Sequence, residues 1–136
     1  MTYLLYIGLE AFLVGLFCVL LYLGLSWIKP FLLLLFVLGV FKHSVGYISG
    51  IESLYCTYGQ ACEKQTCEQA RRKAHTHQLL LESILEGLAF MVIGLIFYKN
   101  TTPIRMVFLT GVLLHLIAEF SGLHARFCQK NCILSV

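Results

Sequence analysis

The chain has 136 residues, of which 59% are hydrophobic and only 12% are charged, and its formal net charge is +3. Soluble domains contain about 45–50% apolar and about 25% charged residues, so this composition excludes an ordinary soluble domain and a disordered chain. The small net charge, with cations lying between apolar runs and not among aromatics, gives no support to nucleic-acid binding.

Four apolar segments are each long enough to cross a membrane as a helix, which takes about 20 mainly apolar residues. They cover 3–27, 31–51, 78–98 and 106–127. The connections after the first and third segments are short, so the helices that they join are expected to lie antiparallel. The sequence therefore predicts an all-α integral membrane protein, with one membrane domain over 1–136. The predicted fold is an antiparallel four-helix bundle with both termini on the same side.

The link 52–77 is the only long polar segment, and side A denotes the membrane face that it shares with both predicted termini. The third helix is predicted to begin near Glu63, so that it projects beyond the bilayer on side A. Side A carries more cations than the opposite side B. The positive-inside rule therefore assigns side A to the cytoplasm. Three consecutive cations of the link are expected to contact lipid headgroups: Arg71, Arg72 and Lys73.

The cysteines raise a conflicting expectation about side A. Cys18 lies deep in the first segment, and the other five fall in the link or the tail: Cys56, Cys62, Cys67, Cys128 and Cys132. Disulfides that join the link to itself or to the tail are the preferred interpretation, and they would place side A in an oxidising space. Zinc held by these thiols with His75, His77 and His124 is an alternative. Free thiols are another.

Seven ionisable residues interrupt the apolar segments, and all four segments contribute to them: Glu10, Lys42, His43, Glu82, Glu86, His115 and Glu119. At 1.5 Å per helical residue they lie about 6–15 Å from side A, in the same half of the bilayer. Each charge at the bilayer centre costs roughly 2.5–3.5 kcal/mol, so scattered charges would be hard to tolerate. We therefore expect these side chains to converge in one intramembrane polar layer.

Three interpretations of this layer stay open. The preferred one is an ion-pair network that fixes helix register, in which Lys42 pairs with Glu10 or Glu86, and His115 with Glu119. The second is a metal site, because two-metal bundles use a similar donor set. Its candidate ligands are Glu10, His43, Glu82, Glu86, His115 and Glu119. The Glu-x-x-His spacing of such bundles is missing, however, and Lys42 would compete with a metal ion. The third is a proton or ion path, or acid–base chemistry on a lipid-like substrate, since neighbouring carboxylates and imidazoles can take acid and base roles.

Two stretches, FKHSVGYISGI at 41–51 and YCTYGQAC at 55–62, resemble a pattern in small multi-span membrane proteins of large DNA viruses. The resemblance implies a protein of a virion or an assembly membrane and transfers no functional residue. It favours a non-enzymatic structural or accessory subunit of a membrane assembly, with a protein partner or further copies of the chain. No cofactor is predicted, and an intramembrane Glu/His site is the alternative function.

Overall fold

The computed structural model describes residues 2–51, 76–124 and 126, and four long helices account for most of them. They are α1 (Thr2–Leu25), α2 (Phe31–Ile48), α3 (Thr76–Phe97) and α4 (Pro103–Phe120). The described residues contain no strand. Each helix is long and apolar enough to cross a membrane, which confirms the prediction of an all-helical chain with four such segments. The chain is thus compatible with a multi-pass membrane protein.

Glycine and proline set the helix boundaries. Helix α2 ends at Ile48, short of the predicted 51, and Gly50 follows with a φ of 78°. Helix α4 ends at Phe120, well before the predicted 127, because the chain turns at Gly122 with a φ of 73°. Glycine adopts this left-handed conformation without the steric penalty that a Cβ imposes. Pro30 is the N-cap of α2.

Two predicted features lie outside the described residues, together with the predicted extension of the third helix over 63–75. One is the cysteine cap: Cys56, Cys62, Cys67, Cys128 and Cys132. The other is the headgroup contact: Arg71, Arg72 and Lys73. Both stay predictions. Cys18 is described, and it is a free thiol buried within α1.

The helices pack most extensively in two pairs, α2 with α3 and α1 with α4. Glycines lie where the backbones of each pair come closest. A Cβ built on Gly39 of α2 would lie 2.7 Å from the Cα atom of Gly87 in α3. One built on Gly111 of α4 would lie 3.3 Å from the Cα atom of Gly15 in α1. Small residues let the backbones of membrane helices approach this closely.

One cluster of buried apolar side chains joins the two pairs, and all four helices contribute to it: Cys18, Leu34, Leu35, Leu38, Phe90, Met106 and Val107. Along every helix, this core lies on one side of the close-approach glycine. The seven residues of the predicted polar layer lie on the other side. The order of core, glycine and polar residues therefore repeats four times, and it brings the polar residues of different helices to a similar level.

The surface of the structure is apolar and its polar side chains face inward. Leu5 of α1 is 72% exposed, Leu20 is 66% exposed and Ile96 of α3 is 65% exposed. By contrast, the seven ionisable residues of the predicted polar layer are each buried or half-buried, and Arg105 near the start of α4 is exposed. Soluble proteins bury their large apolar side chains and expose their charges. The opposite distribution is the one expected of helices that are surrounded by lipid.

Candidate functional site

The seven residues of the predicted polar layer fall into two clusters, one within each helix pair. The α2–α3 cluster consists of Lys42, His43, Glu82 and Glu86. The α1–α4 cluster consists of Glu10, His115 and Glu119, and it gains His124 from beyond the end of α4. Each cluster combines carboxylates with imidazole, and only the first includes a lysine.

Glu86 is the centre of the α2–α3 cluster. The ammonium group of Lys42 donates a hydrogen bond to Oε1 of Glu86 and forms an ion pair with it. The Nδ1 atom of His43 lies 2.9 Å from Oε2 of the same carboxylate and donates to it. On its other side, Nε2 of His43 lies 3.5 Å from Oε2 of Glu82. Two successive residues of α2 thus hold two carboxylates that are one helical turn apart on α3.

A pair of serines extends this cluster. The hydroxyl oxygens of Ser44 in α2 and Ser83 in α3 lie 3.2 Å apart, within hydrogen-bonding distance. Ser83 is only 2% exposed, so the bond satisfies a hydroxyl that is shielded from solvent. Neither serine was predicted to belong to the polar layer, although each directly follows one of its members in the sequence.

In the α1–α4 cluster, every carboxylate lies against an imidazole. The Nε2 atom of His115 lies 3.7 Å from Oε2 of Glu10, within ion-pair distance across the two helices. Oε2 of Glu119 accepts a hydrogen bond from Nδ1 of His124 at 2.9 Å. The imidazole rings of His115 and His124 are 4.9 Å apart between centroids. The side chains of His115 and Glu119 are 5% and 1% exposed, so both are almost fully buried.

The turn at Gly122 brings His124 back to the end of α4. The amide of Gly122 donates to the carbonyl of Glu119 at 3.2 Å, which closes the last turn of the helix. Gly122 then takes its positive φ, and helical residues follow it, with the amide of Arg126 donating to the carbonyl of Gly122 at 3.1 Å. Burial lowers the pKa of His124, while its hydrogen bond to Glu119 and the charge of Glu119 act in the opposite direction. From the sequence, His124 was considered only as a zinc partner of the cysteines. Gly122 is the signal that could have placed it beside Glu119.

The two clusters are electrostatically connected. Among the lesser influences on the pKa of His124, the charge of Lys42 lowers it and that of Glu86 raises it. Glu86, one of the two partners expected for Lys42, binds it. The ligand atoms of His115, Glu119 and His124 all lie within 4.8 Å of one another. The arrangement can hold helices together, exchange protons between acids and bases, or bind a cation.

Searches of protein-family models, curated proteins and solved structures found no match to this chain.

Proposed function

We propose that this chain is a non-enzymatic structural or accessory subunit of a membrane assembly, and that its polar layer fixes the packing of its helices. The observation that carries the proposal is that Glu86 binds Lys42 with one carboxylate oxygen and His43 with the other. A shift of α3 along α2 by one helical turn, about 5.4 Å, would break both contacts together. Because polar groups left without partners in lipid are costly, the correct register has a large advantage over its neighbours.

The proposed architecture is an antiparallel bundle with both termini and the link 52–77 on side A. Two contacts support it. The ring of Phe31, the first residue of α2, packs 4.8 Å between centroids from that of Tyr98, which follows the last residue of α3. Glu10 in the first half of α1 lies against His115 in the second half of α4. In the proposed orientation side A faces an oxidising space, where the cysteines form a disulfide-linked cap.

The outward apolar side chains of all four helices are proposed to contact lipid and a protein partner, or another copy of this chain. The resemblance of 41–51 and 55–62 to small membrane proteins of large DNA viruses supports a virion or its assembly membrane as the location. Nucleic acid has no part in this proposal.

Paired substitution of Lys42 and Glu86 tests the structural role. Lys42→Met alone leaves the Glu86 carboxylate buried without its ammonium partner and should reduce the free energy of unfolding by about 3–5 kcal/mol. Lys42→Met with Glu86→Leu removes both charges and should recover most of this loss, since apolar replacements of buried pairs are often neutral. Lys99→Met, a control at an exposed lysine beyond α3, should change stability by less than about 0.5 kcal/mol.

The measurements are unfolding in mixed detergent micelles and cross-linking of the assembly in membranes. A double variant as unstable as Lys42→Met would contradict the proposed role. A double variant that folds and assembles but loses a proton or ion flux would assign the charges to transport instead.

An intramembrane acid–base site is the second candidate, and the α1–α4 cluster favours it. Four acid–base groups follow one another there, with the imidazoles of His115 and His124 between the carboxylates of Glu10 and Glu119. Such a series can pass a proton between groups of similar affinity. The test is proton flux into vesicles that contain the reconstituted chain and a pH-sensitive dye. Glu119→Gln should abolish the flux, and a flux no greater than that of empty vesicles would exclude this function.

A further inference from the structure

The α1–α4 cluster has the donor atoms of a transition-metal site at nearly the required spacing. One ligand atom from each of His115, Glu119 and His124 lies within 4.8 Å of the other two. In a tetrahedral zinc site with bonds of about 2.0–2.2 Å, ligand atoms are about 3.3 Å apart. The widest separation therefore has to shrink by only about 1.5 Å, which side-chain rotation can provide.

The local fold presents these donors from three directions. His115 and Glu119 are one turn apart on the same face of α4, the i, i+4 spacing with which two side chains of one helix can hold a single ion. His124 follows the turn at Gly122, and its Nδ1 atom lies 2.9 Å from Oε2 of Glu119. Glu10 approaches from α1, with its Oε2 atom 3.7 Å from Nε2 of His115, and it can supply a fourth ligand.

The charges distinguish this cluster from its neighbour. In the α2–α3 cluster the ammonium of Lys42 already binds Glu86 and occupies the position that a cation would need. In the α1–α4 cluster the contacts of Glu10 and Glu119 with His115 and His124 are to imidazole nitrogens, which are themselves metal ligands when neutral. Two carboxylates balance the charge of one divalent ion, so metal binding here would leave no net charge in the low-dielectric interior.

We propose that Glu10, His115, Glu119 and His124 bind one divalent transition-metal ion, and that zinc is the ion which fits best. Two imidazoles and two carboxylates suit zinc, which accepts mixed nitrogen and oxygen ligands in a four-coordinate geometry. The ion would tie α1, α4 and the turn after α4 to one point. This inference does not depend on the structural role proposed for the α2–α3 cluster, because the two clusters share no residue.

Metal titration of the purified full-length chain in detergent tests the proposal. The protein is stripped of metal with a chelator, its accessible thiols are blocked by alkylation, and cobalt(II) is added as a spectroscopic substitute for zinc. We expect one cobalt per chain, the visible absorption of a four-coordinate ion, and displacement of cobalt by zinc. Since loss of an outer-shell partner alone weakens metal binding about 10–100-fold, Glu119→Gln and His124→Gln should each weaken it at least that much.

Matched controls locate the site. His43→Gln and Glu82→Gln alter the α2–α3 cluster and should leave cobalt affinity unchanged. His75→Ala with His77→Ala removes the histidines of the link, and it should also leave affinity unchanged. Helical circular dichroism and elution volume show which variants remain folded, and His124→Gln, beyond the end of α4, provides the test if Glu119→Gln does not fold.

Three results would overturn the proposal. The first is cobalt binding far below one ion per chain. The second is unchanged affinity in a folded His124→Gln variant. The third is loss of binding in the variant without the two link histidines, which would move the site to the link.

Discussion

Replacement of Gly39 by alanine tests whether α2 and α3 are held as closely as the structure shows. The new Cβ would lie 2.7 Å from the Cα of Gly87 and 2.7 Å from the carbonyl oxygen of Glu86. Both are backbone atoms, so neither can rotate away, and the helices would have to separate by about 0.7 Å to reach the ordinary contact distance of 3.4 Å. Overpacking of this kind costs about 1–3 kcal/mol. The folding equilibrium should therefore fall by a factor of about 5–150.

Gly8→Ala is the matched control, because nothing lies within 4 Å of a Cβ built on Gly8. This variant should be as stable as the unsubstituted chain or more so, since alanine is the better helix former by up to about 1 kcal/mol. The folded fraction is measured in mixed micelles of increasing denaturing detergent, with the fluorescence of Trp27, the single tryptophan, as the signal. Equal stability of Gly39→Ala and Gly8→Ala would refute the close approach of α2 and α3.

Two other glycines give predictions for the second helix pair and for the turn after α4. A Cβ on Gly111 would lie 2.7 Å from Sγ of Cys18, so Gly111→Ala should lose about 1–3 kcal/mol, of which Cys18→Ala recovers a part. A double-mutant cycle of unfolding free energies checks this, and independent effects of the two changes would contradict the contact. Gly122→Ala forces a Cβ into the left-handed region at a cost of roughly 1–2 kcal/mol and should loosen His124 from Glu119. His124 should then react faster with diethyl pyrocarbonate, as followed by mass spectrometry, and an unchanged rate would show that Gly122 does not position it.

The four helices could be predicted because each consists of an apolar run of about the length that a helix needs to cross a bilayer. A helix satisfies its backbone hydrogen bonds within that one segment. Their ends were harder to place. The fourth segment was predicted to extend to 127, but the backbone leaves α4 at Gly122. The conformation of this glycine cannot be deduced from hydropathy. The polar residues could likewise be assigned to one level of the membrane from their positions along the helices.

The partners within that level could not be assigned from the sequence. Lys42 had two acceptable carboxylates at similar depth, and its contact with Glu86 depends on the close approach of α2 and α3 at their glycines. His124 is nine residues from His115, a separation with no helical periodicity, so only the turn between them brings the two rings together.

The repeated order of core, glycine and polar residues has a consequence for membranes of different thickness. Along each described helix the polar contacts lie on one side of the close-approach glycine, and the buried apolar cluster lies on the other. A thicker or thinner bilayer is accommodated by tilting of helices and by deformation of the lipid around them, at fractions of a kcal/mol per Å. In the proposed membrane arrangement, adjustment at the helix ends farthest from the polar clusters would leave the charged groups in their mutual geometry when the surrounding lipid changes.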